Sequence, residues 1–315
     1  MLTRRHIRVK VMQSIYAMER SQSQNLDKEL KFLQNSTNDT HHLYLLIFSL
    51  LKELHNMADE QIKIAQKKYL ATVKDKNPVR KFIDNQLLVM ISTNETLQDA
   101  INDAKMNRWD LDSEYVKIVY KKILESDLYT QYMNDKGSSF AEDKAFVIDI
   151  FKNIIAPNEK LYEYIEDYNL TWVDDFSIVN TFILKLLKGV TPNSNEKYFI
   201  PKLFKNEEDK TFATDLLKKV VLNDEKLQSY VYGKTPNWDK ERIASLDNII
   251  IKMAICEFLK FPTIPVKVTL NEYLEIAKEY STPKSSIFIN GILDNLSREF
   301  EEKQELKKIG RGQYK

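Results

Sequence analysis

From Thr3 to Arg20 the apolar residues Ile7, Val11, Ile15 and Met18 recur at spacings of four, four and three, which places them on one face of a helix. Arg5, Arg8 and Met12 run along an edge of that face, and Arg4 and His6 fall in the first turn behind Thr3 as N-cap. Polar residues Ser21 to Asn25 end the helix. Asn35 to Thr40 reads as a loop, and His41 to Leu70 as a long helix.

From about residue 80 the pattern repeats. Phe146 and Phe212 are followed by Asn158-Glu159-Lys160-Leu161 and Asp224-Glu225-Lys226-Leu227, then by Tyr164 and Tyr230, then by Trp172 and Trp238, in register at an offset of 66. A weaker third copy runs through Phe82, Asn94-Glu95-Thr96-Leu97 and Trp109. Each copy predicts a helix, a turn, a short helix, a loop holding the tryptophan and a longer helix. Asn94, Asn158 and Asn223 suit N-caps of the short helix, and the tryptophans suit core anchors.

The densest patterning lies between Asn237 and Phe300. Asp239 to Phe261 carries so wide an apolar face, through Ile243, Leu246, Ile250, Met253 and Phe258, that it predicts a central, well-buried helix. Pro262 and Pro265 stop it. Thr269-Leu-Asn-Glu272 has the spacing of a capping box opening the next helix. Ser281 to Lys284 reads as a loop, with Ser285 or Ser286 capping a last helix that ends near residue 303. Gly291 sits inside that helix at a cost of about 1 kcal/mol relative to Ala, which predicts a close helix–helix approach. The tail, 303–315, is basic and reads as disordered.

Composition narrows the function. The chain has 315 residues, 43% apolar and 30% charged, with six glycines and eight prolines, which favours an all-α protein. The net charge of +1 excludes a broadly basic protein but leaves room for a local basic patch. The one cysteine, Cys256, lies in an apolar run and suits a buried small residue. No His or Cys cluster has metal-ligand spacing, no phosphate loop or nucleophile motif is present, and carboxylates scatter along helix faces opposite lysines. These residues point to a non-catalytic protein without metal or cofactor. No apolar run is long enough to span a membrane and no signal peptide opens the chain, so a cytoplasmic location is expected. Cations in the first turn oppose the helix dipole at about 0.3–1 kcal/mol each. Arg4, Arg5, His6 and Arg8 thus read either as a solvated basic face or as a phosphate-binding face, on which bound phosphates offset that cost.

The stretches Arg4-Arg-His-Ile-Arg-Val-Lys-Val-Met-Gln-Ser-Ile-Tyr16, Ile255-Cys-Glu-Phe-Leu259, Pro265-Val-Lys-Val-Thr-Leu-Asn-Glu272, Ile276-Ala-Lys278 and Phe288-Ile-Asn-Gly-Ile-Leu-Asp294 resemble the NusB family of transcription antitermination factors, in order and in separation. The resemblance covers somewhat over a third of the chain. It implies an all-α NusB-like helical bundle and binding of boxA RNA from ribosomal RNA operons, together with the small-subunit ribosomal protein NusE, other Nus factors and RNA polymerase. Carried onto this sequence, it implies RNA contacts at Arg4, Arg5, His6 (where the family commonly has another Arg) and Arg8. It further implies RNA contacts at Lys284, Ser285, Ser286 and Phe288, and partner contacts at Tyr16 and Glu257.

The departure is a large helical insertion, 23–208, built from repeated units at about 80–142 and 143–208. It separates the first helix, 1–22, from the rest of the core, 209–302, and it resembles the long forms of the Bacteroidetes. Two other readings stand beside this one. One is a helical protein-binding scaffold that has lost RNA binding. The other is the N-terminal domain of an RNA cytosine methyltransferase, against which stand the chain's end soon after the last helix and the placement of Cys256 on an apolar face.

Overall fold

A computed structural model describes residues 1–69, 72–137, 139–234 and 243–313. In chain order the helices are α1 (Arg4–Ser21), α2 (Leu26–Lys67), α3 (Val73–Lys76), α4 (Gln86–Ser92), α5 (Glu95–Asp103), α6 (Ser113–Leu124), α7 (Asp127–Asn134) and α8 (Phe140–Ile150). They continue with α9 (Glu159–Tyr168), α10 (Phe176–Gly189), α11 (Glu207–Val221), α12 (Asp224–Lys234), α13 (Ser245–Lys260), α14 (Val266–Tyr280) and α15 (Pro283–Glu302). Among the described residues there is no strand, and the all-α expectation holds.

The chain divides into two compact units, Met1–Thr37 with Leu203–Lys315, and Asn38–Lys202. The first unit therefore keeps more chain than the sequence suggests on both sides of the insertion. The reason is apolar: Leu33 belongs to its core, Leu30, Leu203 and Phe204 pack against that core half-buried, and the Leu2 N–H donates to the Leu203 carbonyl at 2.8 Å.

In the first unit α13 is the central helix. Every residue from Ile249 to Phe258 is buried, and α1, α11, α12, α14 and α15 pack around it. Its apolar face is wide enough to favour the centre, and its buried charges Lys252 and Glu257 are paired there. The expected start of this helix at Asp239, and Trp238 before it, lie outside the described residues.

In the second unit the same position falls to the part of α2 from Leu43 to Leu51, all buried. The Tyr44 hydroxyl donates to the Phe199 carbonyl at 2.7 Å, and the Thr40 hydroxyl to Asp175 at 2.7 Å. The polar run Asn35–Thr40 is thus helix, not loop. Ser36, Thr37 and Thr40 are buried; the Thr37 hydroxyl bonds back to the Gln34 carbonyl of its own helix at 2.8 Å, and the tertiary bond from Thr40 to Asp175 outweighs weak helix propensity.

The helix, short helix, tryptophan turn and long helix recur as α4–α5–α6 and α8–α9–α10, and α11, α12 and α13 repeat the three helices. Asn94 caps α5 by accepting from the Leu97 N–H at 2.7 Å, and Asn158 caps α9 by accepting from the Leu161 N–H at 3.2 Å. Asn223 instead turns its amide back onto the Lys219 carbonyl at 2.8 Å. Trp109 and Trp172 are buried anchors in the turns Arg108–Asp110 and Leu170–Trp172, and the Trp109 indole N–H donates to the Leu46 carbonyl at 3.0 Å.

Four local expectations are corrected. Helix α14 begins at Val266 behind Pro265, so Thr269 and Glu272 are interior positions and form no capping box. The cap of α15 is Thr282, which accepts from the Ser285 N–H at 3.1 Å, with Pro283 as its first residue. Gly291 is exposed, and a Cβ there would meet nothing within 4 Å, so close packing does not explain it. The tail is ordered through Gln313. Lys308 donates to the Glu257 and Phe261 carbonyls at 3.3 and 3.0 Å, satisfying acceptors that the end of α13 leaves open. The Ile309 N–H donates to the Pro262 carbonyl at 3.0 Å. Tyr314 and Lys315 lie outside the described residues.

Candidate nucleic-acid interface

Helix α1 opens on Thr3, in extended conformation with φ −89° and ψ 165°. Its hydroxyl accepts from the His6 N–H, while His6 Nδ1 accepts from the Thr3 N–H at 3.3 Å. The ring nitrogen that accepts carries no proton, so this reciprocal cap needs neutral His6. Burial lowers the His6 pKa, and the neighbouring Arg5 lowers it further.

The arginines that follow each meet a different helix. Arg4 donates to Asp209 at 2.7 Å and to Glu208 at 2.6 Å on α11. Burial would lower its pKa, but these two carboxylates outweigh it and the net shift is upward. Arg5 donates to Glu272 on α14 at 3.0 and 3.2 Å, and that bond raises its pKa. Arg8 is 1% exposed. It grips Glu257 of α13 through two bonds of 2.9 and 2.7 Å, a bidentate geometry only a guanidinium supplies. The Thr269 hydroxyl and the Tyr273 phenol complete the Glu257 carboxylate at 2.7 and 3.2 Å. Arg4 and Arg8 also lie over the Phe212 ring, at 5.3 and 5.2 Å from its centroid.

These residues border an open cleft of about 740 Å³, lined among others by Arg4, Arg5, His6, Glu272 and Arg311. Arg311 comes from the tail and was not among the residues singled out from sequence. A run of basic residues past the last helix was the only signal pointing to it.

Two expected site residues do not reach the surface. Arg8 and Glu257, expected as RNA and partner contacts, are enclosed at 1% and 0% exposure and bond to each other. Tyr16 is 37% exposed, under the Arg20 guanidinium at 5.0 Å. The structure does not bring Lys284, Ser285, Ser286 and Phe288 to the cleft. They sit in the first turns of α15, beyond the far end of α14 from Glu272. At about 1.5 Å of rise per residue, the stretch of α14 from Glu272 to its end is on the order of 12 Å long. Lys284 is exposed, Ser286 bonds back to the Pro283 carbonyl at 2.9 Å, and Phe288 packs against the core. Among the described residues no cluster of three or more His, Cys, Asp or Glu could hold a metal ion, and no helix is long and apolar enough to cross a membrane.

Comparison with known proteins gives this geometry its context. The family model described as the NusB family matches residues 181–298, from within α10 to within α15. The chain is 34% identical over 131 residues to the transcription antitermination protein NusB of Geotalea daltonii, covering 42% of this chain and 88% of that protein. The chain belongs to the NusB family. It is also 38% identical over 101 residues to NusB of Salinibacter ruber and 35% identical over 128 residues to NusB of Chloroherpeton thalassium, covering 32% and 41% of this chain. It spans 63% and 57% of the length of those two relatives. No solved structure gives a significant match. The NusB match contains Asp209, Glu257 and Glu272, the acids that hold the arginines of α1.

Proposed function

We propose that this protein is a non-catalytic antitermination factor that binds boxA RNA of ribosomal RNA operons together with NusE, and acts with other Nus factors and RNA polymerase in the cytoplasm. Membership of the NusB family is the observation that carries this reading. The cleft at the start of α1 supports it. Arg4 and Arg5 are held by carboxylates in fixed positions while their side chains stay 32% and 40% exposed. Guanidinium groups so placed suit phosphates, which position an RNA while its unstacked bases are read elsewhere. Lys284 and Phe288 offer a second contact region at the start of α15, and Tyr16 remains a candidate partner contact.

A second reading, a helical protein-binding scaffold without RNA affinity, has one observation in its favour. Arg4, Arg5 and Arg8 are each ion-paired within the fold, which offsets the positive charge available to an RNA. A salt titration separates the two, using boxA and scrambled RNA with and without NusE. The proposed function requires preference for boxA that strengthens with NusE. It also requires a salt slope that drops by about 1.4 in Arg4→Ala/Arg5→Ala, at about 0.7 per lost single-strand phosphate contact. Equal, weak binding of both RNAs in the presence of NusE favours the scaffold.

A further inference from the structure

The cleft beside α1 contains four arginines, and three of them are occupied. Arg4 is spent on Asp209 and Glu208, Arg5 on Glu272, and Arg8 on Glu257. Arg311 differs. It is exposed, it lines the same cleft, and among the described residues its side chain has no carboxylate partner.

The segment that carries Arg311 is fastened at several points. Leu306 packs against the first unit's core, and Lys308 and the Ile309 N–H bind the carbonyls at the α13–α14 corner. Gly310 takes the left-handed conformation, φ 52°, which turns the chain where glycine is favoured. Gly312 is buried against that corner, and a Cβ there would stand 1.9 Å from the Pro262 carbonyl oxygen. Only glycine allows this approach. Such a seat is more than a loose basic tail needs for nonspecific attraction, and it fixes the position from which Arg311 projects.

We infer that residues 303–313 form a strap whose purpose at this cleft is to present Arg311 to a backbone phosphate of single-stranded RNA. The inference rests on the RNA-binding reading above. It assigns the role of primary phosphate ligand to Arg311, with the carboxylate-held Arg4 and Arg5 making the neighbouring phosphate contacts of that reading through their remaining donors. A planar guanidinium with all its donors open can take a phosphate bidentately, whereas a guanidinium already bonded to two carboxylates offers fewer donors.

The test uses the full chain with NusE, a boxA oligoribonucleotide and a scrambled control. Arg311→Ala is compared with Lys307→Ala, which removes the same charge from an exposed position on the same strap. It is also compared with Gly312→Val, which keeps every charge but collides with Pro262. Far-UV circular dichroism and Cys256 labelling check that each variant is folded. Arg311→Ala and Gly312→Val are each expected to weaken boxA binding about fivefold near 0.1 M salt and to lower the salt slope by about 0.7. Lys307→Ala should change neither appreciably. If wild type prefers boxA but Arg311→Ala binds as wild type does, or if Lys307→Ala loses as much as Arg311→Ala, the strap assignment is wrong and the RNA-binding reading survives. Failure of the wild type to prefer boxA overturns both.

Discussion

The two units use the same helical pattern with different polar chemistry at its fixed points. Asp143 and Asp209 stand 66 residues apart, in the first turns of α8 and α11, and both are buried. In the second unit Asp143 accepts from neutral groups, the Gln86 N–H at 2.8 Å and the Tyr132 hydroxyl at 2.7 Å. In the first unit Asp209 accepts from the Arg4 guanidinium. The same offset relates Lys252 and Asp224 to Leu186 and Asn158. Lys252 is 2% exposed and bonds Asp224 at 2.6 Å and Glu19 at 2.9 Å, whereas Leu186 is simply core and Asn158 simply caps α9. One backbone plan therefore tolerates either kind of contact. Buried ion pairs are poor sources of net stability compared with apolar residues of similar size. Their concentration in the first unit, around α1, marks that unit as the one where charge placement matters beyond folding.

Removing one member of a buried pair should show this contrast most strongly. Glu257→Ala leaves Arg8 enclosed without its carboxylate and should cost the first unit about 3–5 kcal/mol. Cys256 reports on this unit alone. It is fully buried, and burial pushes its thiol up to about 12, so it reacts with thiol reagents at pH 8 only when the core opens. Labelling across a urea series should move to lower urea in Glu257→Ala. An unshifted curve would mean that the Arg8–Glu257 pair is dispensable.

The neutral counterpart should be less sensitive. Asp143→Ala strands the Tyr132 hydroxyl and the Gln86 N–H and should cost the second unit about 1–3 kcal/mol, read from hydrogen exchange of the α4 and α8 amides. A loss as large as that of Glu257→Ala would erase the distinction between the units. Smaller again is the transplant Lys252→Leu/Asp224→Asn, which writes the second unit's residues into the first. Because Glu19 is 35% exposed and can be solvated, the Cys256 labelling midpoint should stay within about 1 kcal/mol of wild type or rise.

The helix pattern was readable because it is periodic and local. The tryptophan turns, the caps at Asn94 and Asn158 and the central helix through Ile250 and Met253 all follow from spacing alone. What spacing could not supply was the partner. Thr269 and Glu272 match a capping box in sequence, yet the first reaches Glu257 and the second Arg5, contacts set by how three helices meet. Arg8 looked like a surface cation for the same reason. A signal was nevertheless present. Arg8 sits between Ile7 and Val9 and one turn from Met12, and Glu257 lies inside Ile255–Leu259, so each charge is embedded in apolar neighbours and the two signs are opposite. The polar run Asn35–Thr40 misled in the other direction, since Thr37 bonds within its own helix and the Thr40 hydroxyl finds Asp175 only through the fold. The cleft was half legible. Arg4 and Arg5 were visible as a basic helix start, but Arg311 becomes part of it only through the close approach at Gly312.

The smallest expected effect concerns the cap at the edge of that cleft. His6 must be neutral for Nδ1 to accept from the Thr3 N–H, and its folded pKa is lowered by burial and by Arg5. The unfolded chain, with His6 near its ordinary value of 6.5, then binds more protons than the folded one just below that pH. The contribution is fully present above pH 6.5 and is lost as pH falls from there through the lowered folded value. Protonation also places a cation in the first turn of α1, at a cost of about 0.3–1 kcal/mol. His41 is shifted the same way by its own burial, so wild type alone cannot isolate the effect. His6→Gln can, because glutamine at this position supports the same reciprocal cap and does not titrate. Between pH 7.5 and 5.5 the Cys256 labelling midpoint in urea should fall further in wild type than in His6→Gln. Identical pH dependence in the two proteins would show that the Thr3–His6 cap does not hold the start of α1 in solution.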